Sequence, residues 1–149
     1  MVVSSPVIDR AAWRLRIGGL VERPLELSYD ELTALPEKSL FATVECAGNG
    51  RSFLKPHAPG VQWGAGAIGH AEWTGVPLSV LLDEAGADPN AKWVIAEGAD
   101  AHNLDRSIPM KKAMGDALIA IYQNGERLMP GNGYPMRLLV PGYQGNMNV

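Results

Sequence analysis

The segment TVECAGNGRSF, residues 43–53, contains the only cysteine of the chain, Cys46. Gly48 and Gly50 follow it, and backbone N–H groups at glycines of this kind can turn inward to form an anion-accepting nest. Arg51 adds a planar positive group that suits phosphate or another oxyanion. Both features favour the thiolate form of a cysteine. A thiolate beside an anion site suits a soft-metal ligand next to a phosphorylated cofactor, but these residues do not name the metal.

Other chemistries of cysteine and histidine have less support in the sequence. A lone cysteine is usually a small buried apolar residue, and this is the alternative to a functional role for Cys46. The histidines His57, His70 and His102 do not fall at the spacing of helical zinc ligands. No G-x-S-x-G motif is present, which argues against a serine hydrolase of the nucleophile-elbow type. Nothing in the sequence connects one histidine with Cys46 as a nucleophile and base pair.

The segment GAGAIG, residues 64–69, matches the glycine pattern of dinucleotide-binding loops. That pattern needs a strand before it and a helix that begins within it. The preceding KPHAPGVQW is not a buried strand, and Gly75 and Pro77 would end any helix that followed. We therefore interpret GAGAIG as a glycine-rich stretch that lies close to other backbone or to a ligand.

Two further charged residues lie where a ligand or a structural partner would be needed. Arg137 precedes an apolar strand in YPMRLLV, and a buried guanidinium there requires an acceptor, either a ligand or a structural carboxylate. Asp100 ends EGAD after another strand, where it would either cap a turn or contact a ligand.

Composition limits the classes of protein that remain. The 149 residues suffice for one compact domain, and 46% hydrophobic with 19% charged residues excludes a disordered chain. The net charge of −3, with no lysine or arginine cluster, argues against a nucleic-acid binder. No apolar run approaches the roughly 20 residues that span a bilayer, and the N-terminal residues do not resemble an export signal. One cysteine permits no internal disulfide.

The strand pattern is irregular. Alternation of apolar and charged residues predicts a half-buried strand at residues 13–17, and Asn124-Gly125 predicts a type I′ hairpin turn. Residues 46–77 show no clear period. Strands are predicted in AAWRLRI, SLFATVEC, KWVIAEGAD, ALIAIYQNGERLM and YPMRLLVPG.

Three short helices are predicted from their end signals. Ser28 and Glu31 form a capping box at the start of LSYDELTAL. Gly86 ends the amphipathic PLSVLLDEAG. Ser107 is predicted to cap a helical turn in SIPMKKAM, with Pro109 in its first turn.

Short strands mixed with short helices predict an α+β fold with mixed β-sheets rather than regular βαβ repeats. Three of the strands end in loops that carry glycine with a polar or charged residue, and we expect these loops to converge into a site. The loops cover residues 46–51, 97–100 and 141–148.

A resemblance to a known family extends from about residue 7 to the end of the chain. The segments ECAGNGRSF, WGAGAIGHAEWTGVPLSVLL, EGAD, SIPMKKAM, ALIAIYQNGERL, GYPMRLLVPG and GNMNV resemble, in this order, the molybdopterin-binding domain of the sulfite oxidase family. The segment LRIGGLVERPLELSYDEL makes the chain most similar to the bacterial sulfite dehydrogenase and sulfane dehydrogenase branch. The resemblance implies the molybdenum-domain fold and oxygen-atom transfer to sulfite or sulfane sulfur.

The resemblance also implies a cofactor and roles for individual residues. Cys46 is the implied protein ligand of molybdenum, whose other sulfurs come from the dithiolene of molybdopterin. Arg51 is implied beside the metal and the substrate anion, as a catalytic residue together with Cys46. Asn132 and Asn148 stand where sulfite oxidases carry histidines, so they can donate hydrogen bonds but carry no charge. The implied cofactor-binding residues are Cys46, Asn49, Arg51, Asp100, Asn132, Arg137 and Asn148.

Partners and location follow from the same resemblance. The implied substrate is a small sulfur oxyanion or a protein-bound sulfane, and the implied electron acceptor is a c-type cytochrome. We expect residues 1–149 to be one truncated molybdopterin-binding domain that lacks the C-terminal dimerisation domain, so that a homodimer forms only in the full-length protein. The expected location is the periplasm, with the leader removed, and the cytoplasm is the alternative. Other functions left open are nitrate reduction, methionine-sulfoxide reduction and a cofactor-free fragment without catalysis.

Overall fold

The computed structural model describes residues 7–99 and 104–149. Within them, short strands outnumber short helices, and each pair of neighbouring strands runs antiparallel. The α+β class predicted from the sequence is confirmed. The strands are β1 (Arg14–Ile17), β2 (Leu25–Ser28), β3 (Lys38–Glu45), β4 (Ile68–Pro77), β5 (Trp93–Glu97), β6 (Asp105–Pro109), β7 (Leu118–Gln123), β8 (Glu126–Arg127) and β9 (Arg137–Leu139), and the helices are α1 (Tyr29–Thr33), α2 (Leu78–Ala85) and α3 (Met110–Ala113).

The largest sheet connects two distant segments of the chain that carry predicted site residues. Strand β4 pairs with β3 on one edge and with β7 on the other. Strand β7 in turn pairs with both β8 and β9. The remaining strands form two ribbons, β1 with β2 and β5 with β6. The sheet therefore links Cys46, just after β3, with Arg137 at the start of β9.

Apolar side chains form two buried clusters. The first lies under α1 and α2 and includes the apolar stripe of α2, whose periodicity was evident in the sequence. The second forms around Trp73 of β4 with the inward side chains of β3, β7 and β9. The largest fully buried side chains are Leu32, Leu81, Ile108, Leu118, Ile121, Leu139, Val76 and Val140.

Strand β4 is an element that the sequence did not predict. Residues 46–77 showed no clear period, yet Ile68–Pro77 form a strand of 10 residues, the longest in the described part of the chain. Its inward positions include Ala71, with only a methyl group, and Gly75, with no side chain, which weaken the apolar signal of strand alternation. Strand β2 was also missed, since its residues lie directly before the helix that the capping box predicts.

The predicted cap at Ser107 is wrong. Ser107 lies inside β6, where it is exposed and pairs with Ile95 of β5. Helix α3 begins only at Met110, after Pro109. Pro109 ends β6 and is also the N-cap residue of α3, so it lies just before the helix rather than in its first turn.

Other local signals are confirmed. Asn124 (φ 51°) and Gly125 (φ 78°) form the turn between β7 and β8 in the left-handed region that a type I′ turn requires. Gly86 ends α2 at φ 63°. No helix in the described ranges 7–99 and 104–149 has the length and apolar character to cross a membrane.

The capping box at α1 gives a testable stability difference. Ser28 Oγ accepts from Glu31 N at 3.2 Å, and Ser28 N donates to Glu31 Oε2 at 2.8 Å. We expect Ser28→Ala to lower the free energy of unfolding by about 1 kcal/mol, the usual value of a helix N-cap. Urea unfolding followed by circular dichroism measures it. Ser107→Ala is the matched control and should change stability by less than about 0.5 kcal/mol, since it caps nothing.

The same capping box predicts a dependence on pH. Hydrogen bonds from the Ser28 side chain, and then from its backbone N–H, hold the pKa of Glu31 below its usual range. A carboxyl group with a lowered pKa stabilises the fold above its unfolded pKa and loses that contribution as pH falls through its folded pKa. The difference between the native chain and Ser28→Ala should therefore shrink in acid. An equal difference at neutral and strongly acidic pH would contradict this.

Candidate molybdopterin site

Cys46 lies immediately after β3 and is exposed. The last register pair of β3 with β4 is Glu45 with Ile68, so the sheet ends at the residue before the cysteine. Gly48 N–H, in the turn that follows, donates toward Cys46 Sγ at 3.4 Å. The sulfur is thus accessible and faces a backbone donor, which excludes the interpretation of Cys46 as a buried structural cysteine.

The turn after Cys46 is hydrogen-bonded to residues 63–67. Cys46 N donates to Ala67 O at 2.9 Å, and Gly50 N donates to Gly64 O at 2.8 Å. Gly50 adopts φ 75°, which glycine tolerates and other residues rarely adopt. The GAGAIG segment therefore supports the cysteine turn and leads into a strand, so it does not form the strand, loop and helix of a dinucleotide site.

Arg51 lies in the same turn, with its guanidinium enclosed by two glycines. A Cβ added to Gly48 would lie 2.9 Å from Arg51 Nη2, and one added to Gly60 would meet Arg51 Nη1 even more closely. Arg51 Nη1 donates to Val61 O at 3.1 Å. No carboxylate pairs with Arg51 within residues 7–99 and 104–149. Its remaining N–H donors suit an anion near the cysteine.

Arg137 is half-buried at the start of β9. Its Nε donates to Asn148 O at 2.9 Å, and Nη1 and Nη2 make longer contacts of 3.4 and 3.5 Å with the carbonyls of Asn132 and Gly145. Burial lowers the pKa of Arg137 because it removes water from the cation. The described part of the chain supplies no carboxylate for it. A guanidinium with only neutral acceptors is a place for an anion, so the structural carboxylate left open above is not found there.

Asn148 and Asn132 differ in exposure and in partners. Asn148 is 4% exposed, and its Oδ1 accepts from Val140 N at 2.7 Å while its Nδ2 donates to Gln144 O at 2.9 Å. Its side chain therefore orders the C-terminal segment around Arg137. Asn132 is exposed, and its Nδ2 donates to Gln123 Oε1 at 2.7 Å. Contact of either side chain with a cofactor stays a prediction.

A groove of about 1060 Å³ runs past Arg137. Two of the three predicted loops line it, one through residues 97–99 and the other through Gly145, Asn146 and Asn148. Asp100 lies outside the described residues, so its place relative to the groove stays a prediction. Cys46, Asn49 and Arg51 do not line the groove. The predicted residues therefore form one group at the end of β3 and another, Arg137 and Asn148, along the groove, while Asn132 lies in neither.

Gly145 brings the two groups into contact. A Cβ at this position would lie 3.1 Å from Glu45 O and 3.2 Å from Val44 Cγ1, so the C-terminal loop rests against the end of β3. The carbonyl of Gly145 is also the one that faces Arg137 Nη2. Sequence reasoning missed Gly145 and Glu45, because contacts between residues 100 positions apart leave no local signal.

These features fit a molybdenum-pterin group. An exposed sulfur donor, the sole cysteine of the chain, suits a soft metal. The half-buried Arg137, with neutral acceptors only among the described residues, suits a phosphate. The groove beside it has the volume of a cofactor site. The cysteine turn adjoins the groove through the contact of Gly145 with Glu45.

Comparison with known proteins defines the class. The model of the oxidoreductase molybdopterin binding domain family matches residues 2–149, nearly the whole chain. This chain belongs to that family. The predicted resemblance, the fold class and the cofactor class are thereby confirmed.

Individual relatives agree with this class. The chain is 41% identical over 155 residues to a mitochondrial sulfite oxidase of Drosophila melanogaster, covering 97% of this chain and 27% of that protein. It is 36% identical over 152 residues to nitrate reductase [NADH] 1 of Nicotiana tabacum, covering 92% of this chain and 17% of that protein. The crystal structure of the sulfane dehydrogenase SoxCD from Paracoccus pantotrophus superposes with a TM-score of 0.89 at 45% identity, covering 97% of this chain and 38% of that chain. The chain thus spans less than half the length of each relative.

Proposed function

We propose that this chain is the molybdenum domain of an oxidoreductase that transfers an oxygen atom to a sulfur substrate, either sulfite or sulfane sulfur. The observation that carries this proposal is the exposed Cys46 at the end of β3, in the same turn as a guanidinium without a carboxylate partner among the described residues. The relatives that act on sulfur, a sulfite oxidase and a sulfane dehydrogenase, match this chain over 97% of its length.

The residues of this chain would bind and orient rather than react. The molybdenum cofactor, when bound, supplies oxygen-atom transfer coupled to two-electron oxidation. Cys46 would bind the metal through its sulfur, and Arg51 would hold the substrate oxyanion next to it. Arg137 would hold the cofactor phosphate from the groove, and the remaining cofactor contacts are assigned to Asp100, Asn132 and Asn148.

The same proposal extends to partners and location. We assign a c-type cytochrome as the electron acceptor and the periplasm as the location, in accord with the similarity to the sulfane dehydrogenase SoxCD. Residues 1–149 are proposed as one molybdopterin-binding domain of a longer protein, whose further domain would form the homodimer.

Elemental and pterin analysis tests the proposal. The full-length protein, made in a host that synthesises molybdopterin, should contain about one molybdenum and one pterin per chain. It should then reduce an artificial acceptor with sulfite or a sulfane compound as the electron donor. If the protein purified from such a host contained no molybdenum, the proposal would be overturned in favour of a cofactor-free fragment.

Nitrate reduction is the second candidate, because a nitrate reductase matches 92% of this chain at 36% identity. The two candidates differ in the direction of electron flow. Sulfur oxidation needs an electron acceptor, whereas nitrate reduction needs a reduced donor. Loaded protein that consumes nitrate with reduced viologen, and does not oxidise sulfite or sulfane sulfur, would establish nitrate reduction instead.

A further inference from the structure

The turn that carries Cys46 is closed by the side chain of Asn49. Asn49 Nδ2 donates to Glu45 Oε1 at 2.7 Å. Asn49 Oδ1 accepts from Ala67 N at 2.9 Å. One carboxamide thus spans the turn from the last residue of β3 to the residue before β4, with the cysteine between its two anchors.

Both backbone polar groups of Ala67 are hydrogen-bonded to the cysteine turn. Its carbonyl accepts from Cys46 N, and its N–H donates to the Asn49 side chain. Asn49 N in turn donates to Cys46 O at 2.9 Å. The backbone of Cys46 is therefore bonded on both sides to residues that the Asn49 carboxamide fixes, and Gly48 N–H faces the sulfur from within the same closed turn.

Glu45 extends this arrangement to the groove. Its carboxylate accepts from Asn49, and its carbonyl lies against Gly145. The carbonyl of Gly145 faces Arg137 Nη2 at 3.5 Å. A continuous set of contacts thus runs from the cysteine turn through Glu45 to Arg137, the two points at which one ligand would be held.

We propose that Asn49 is a positioning residue, which fixes the Cys46 sulfur through Glu45 and Ala67 rather than by contact with the cofactor. Both of its described side-chain hydrogen bonds go to the protein. The inference rests on the proposed function only in taking Cys46 as the atom to be positioned. The closed turn itself is a property of this chain with or without the cofactor.

An exchange of donor and acceptor tests this role. Asn49→Asp removes the donor and places a second carboxylate against Glu45. Adding Glu45→Gln restores one donor and one acceptor in reversed order, with the net charge of the native chain. Because Cys46 is the only cysteine, a nitroxide label attached to it in cofactor-free protein reports the mobility of this turn alone. We expect Asn49→Asp to shorten the label correlation time by about threefold, and the exchange to return it to within about 1.5-fold of native.

A matched control separates the effect of net charge from the effect of restoring the hydrogen bond between residues 45 and 49. Asn49→Asp with Glu72→Gln has the same net charge as the exchange, but Glu72 lies in β4, opposite Phe41, and forms no hydrogen bond with Asn49. This variant should stay as mobile as Asn49→Asp alone. Equal mobility in the exchange variant and this control would overturn the proposal, and so would native mobility in Asn49→Asp.

Failure to fold and failure of the proposed function give different results. If Asn49→Asp does not fold, Asn49→Ser removes both hydrogen bonds without adding charge, and its label must again be mobile. A native label spectrum in folded Asn49→Ser would overturn the proposal. Molybdenum analysis of the unlabelled native protein is a separate measurement, so a result there does not change the label result.

Discussion

Replacing Cys46 with serine is expected to remove the thiolate-to-molybdenum charge-transfer absorption of the loaded protein and to lower its activity by more than about 100-fold, beyond the 10–100-fold typical of residues that only support a ligand. Serine offers a hard oxygen donor that is protonated at neutral pH, where cysteine offers a soft thiolate. The exposed position of Cys46 means that the substitution removes no core packing, so the thermal midpoint should change little. Absorption spectroscopy and steady-state assays measure both effects.

Ala47→Ser is the control for this substitution. It introduces the same serine side chain at the neighbouring exposed position, and it leaves the thiol of Cys46 in place. Its spectrum and activity should match those of the native protein. If Cys46→Ser kept both the absorption band and the activity, the sulfur would not be the metal ligand.

Replacing Gly75 with alanine should produce the largest loss of stability among single substitutions at the described glycines. Gly75 lies at the irregularity where the register of β4 and β7 shifts. An added Cβ would lie 2.6 Å from Ala120 Cα and closer still to Ile119 O, and backbone atoms of a central strand cannot move aside without disturbing the sheet. We expect a loss of about 3 kcal/mol, the upper part of the usual range for overpacking. The thermal midpoint should fall by about 10 °C in a chain of this size.

Gly69→Ala is the matched control in the same strand. Its added Cβ meets no atom within 4 Å, so stability should change by less than about 1 kcal/mol. Because β4 pairs with both β3 and β7, the Gly75 variant should also hold cofactor less firmly than Gly69→Ala does. Identical unfolding midpoints for the two variants would contradict the close approach of β4 to β7.

Local signals in the sequence predicted those helix ends and turns that depend on contacts between residues close in the chain. The Ser28 and Glu31 capping box, the Gly86 helix stop and the Asn124-Gly125 turn each depend on contacts within four residues, so the sequence contains all the information needed. Strand β4 was missed because two of its inward positions, on either side of Trp73, are the small residues Ala71 and Gly75, and its strand geometry comes from pairing with β3 and β7.

The site was predictable in its parts but not in its connections. The glycine and arginine neighbours of Cys46 argued against a buried apolar cysteine, and the structure shows Cys46 exposed beside a backbone donor. The bonding of Asn49 to Ala67 and the contact of Gly145 with Glu45 depend on the folded sheet, so no short segment reveals them. The bonds of Asn148 Oδ1 to Val140 N and of Nδ2 to Gln144 O likewise became visible only in the structure.

X-ray absorption at the molybdenum edge tests the central claim most directly, because it counts the sulfur atoms bound to the metal in the native protein and in Cys46→Ser. We predict one sulfur neighbour more in the native protein than in the variant, beyond the sulfurs that the pterin supplies to both. The same sulfur count in both proteins would contradict the assignment of Cys46 as the metal ligand, and with it the account of this domain.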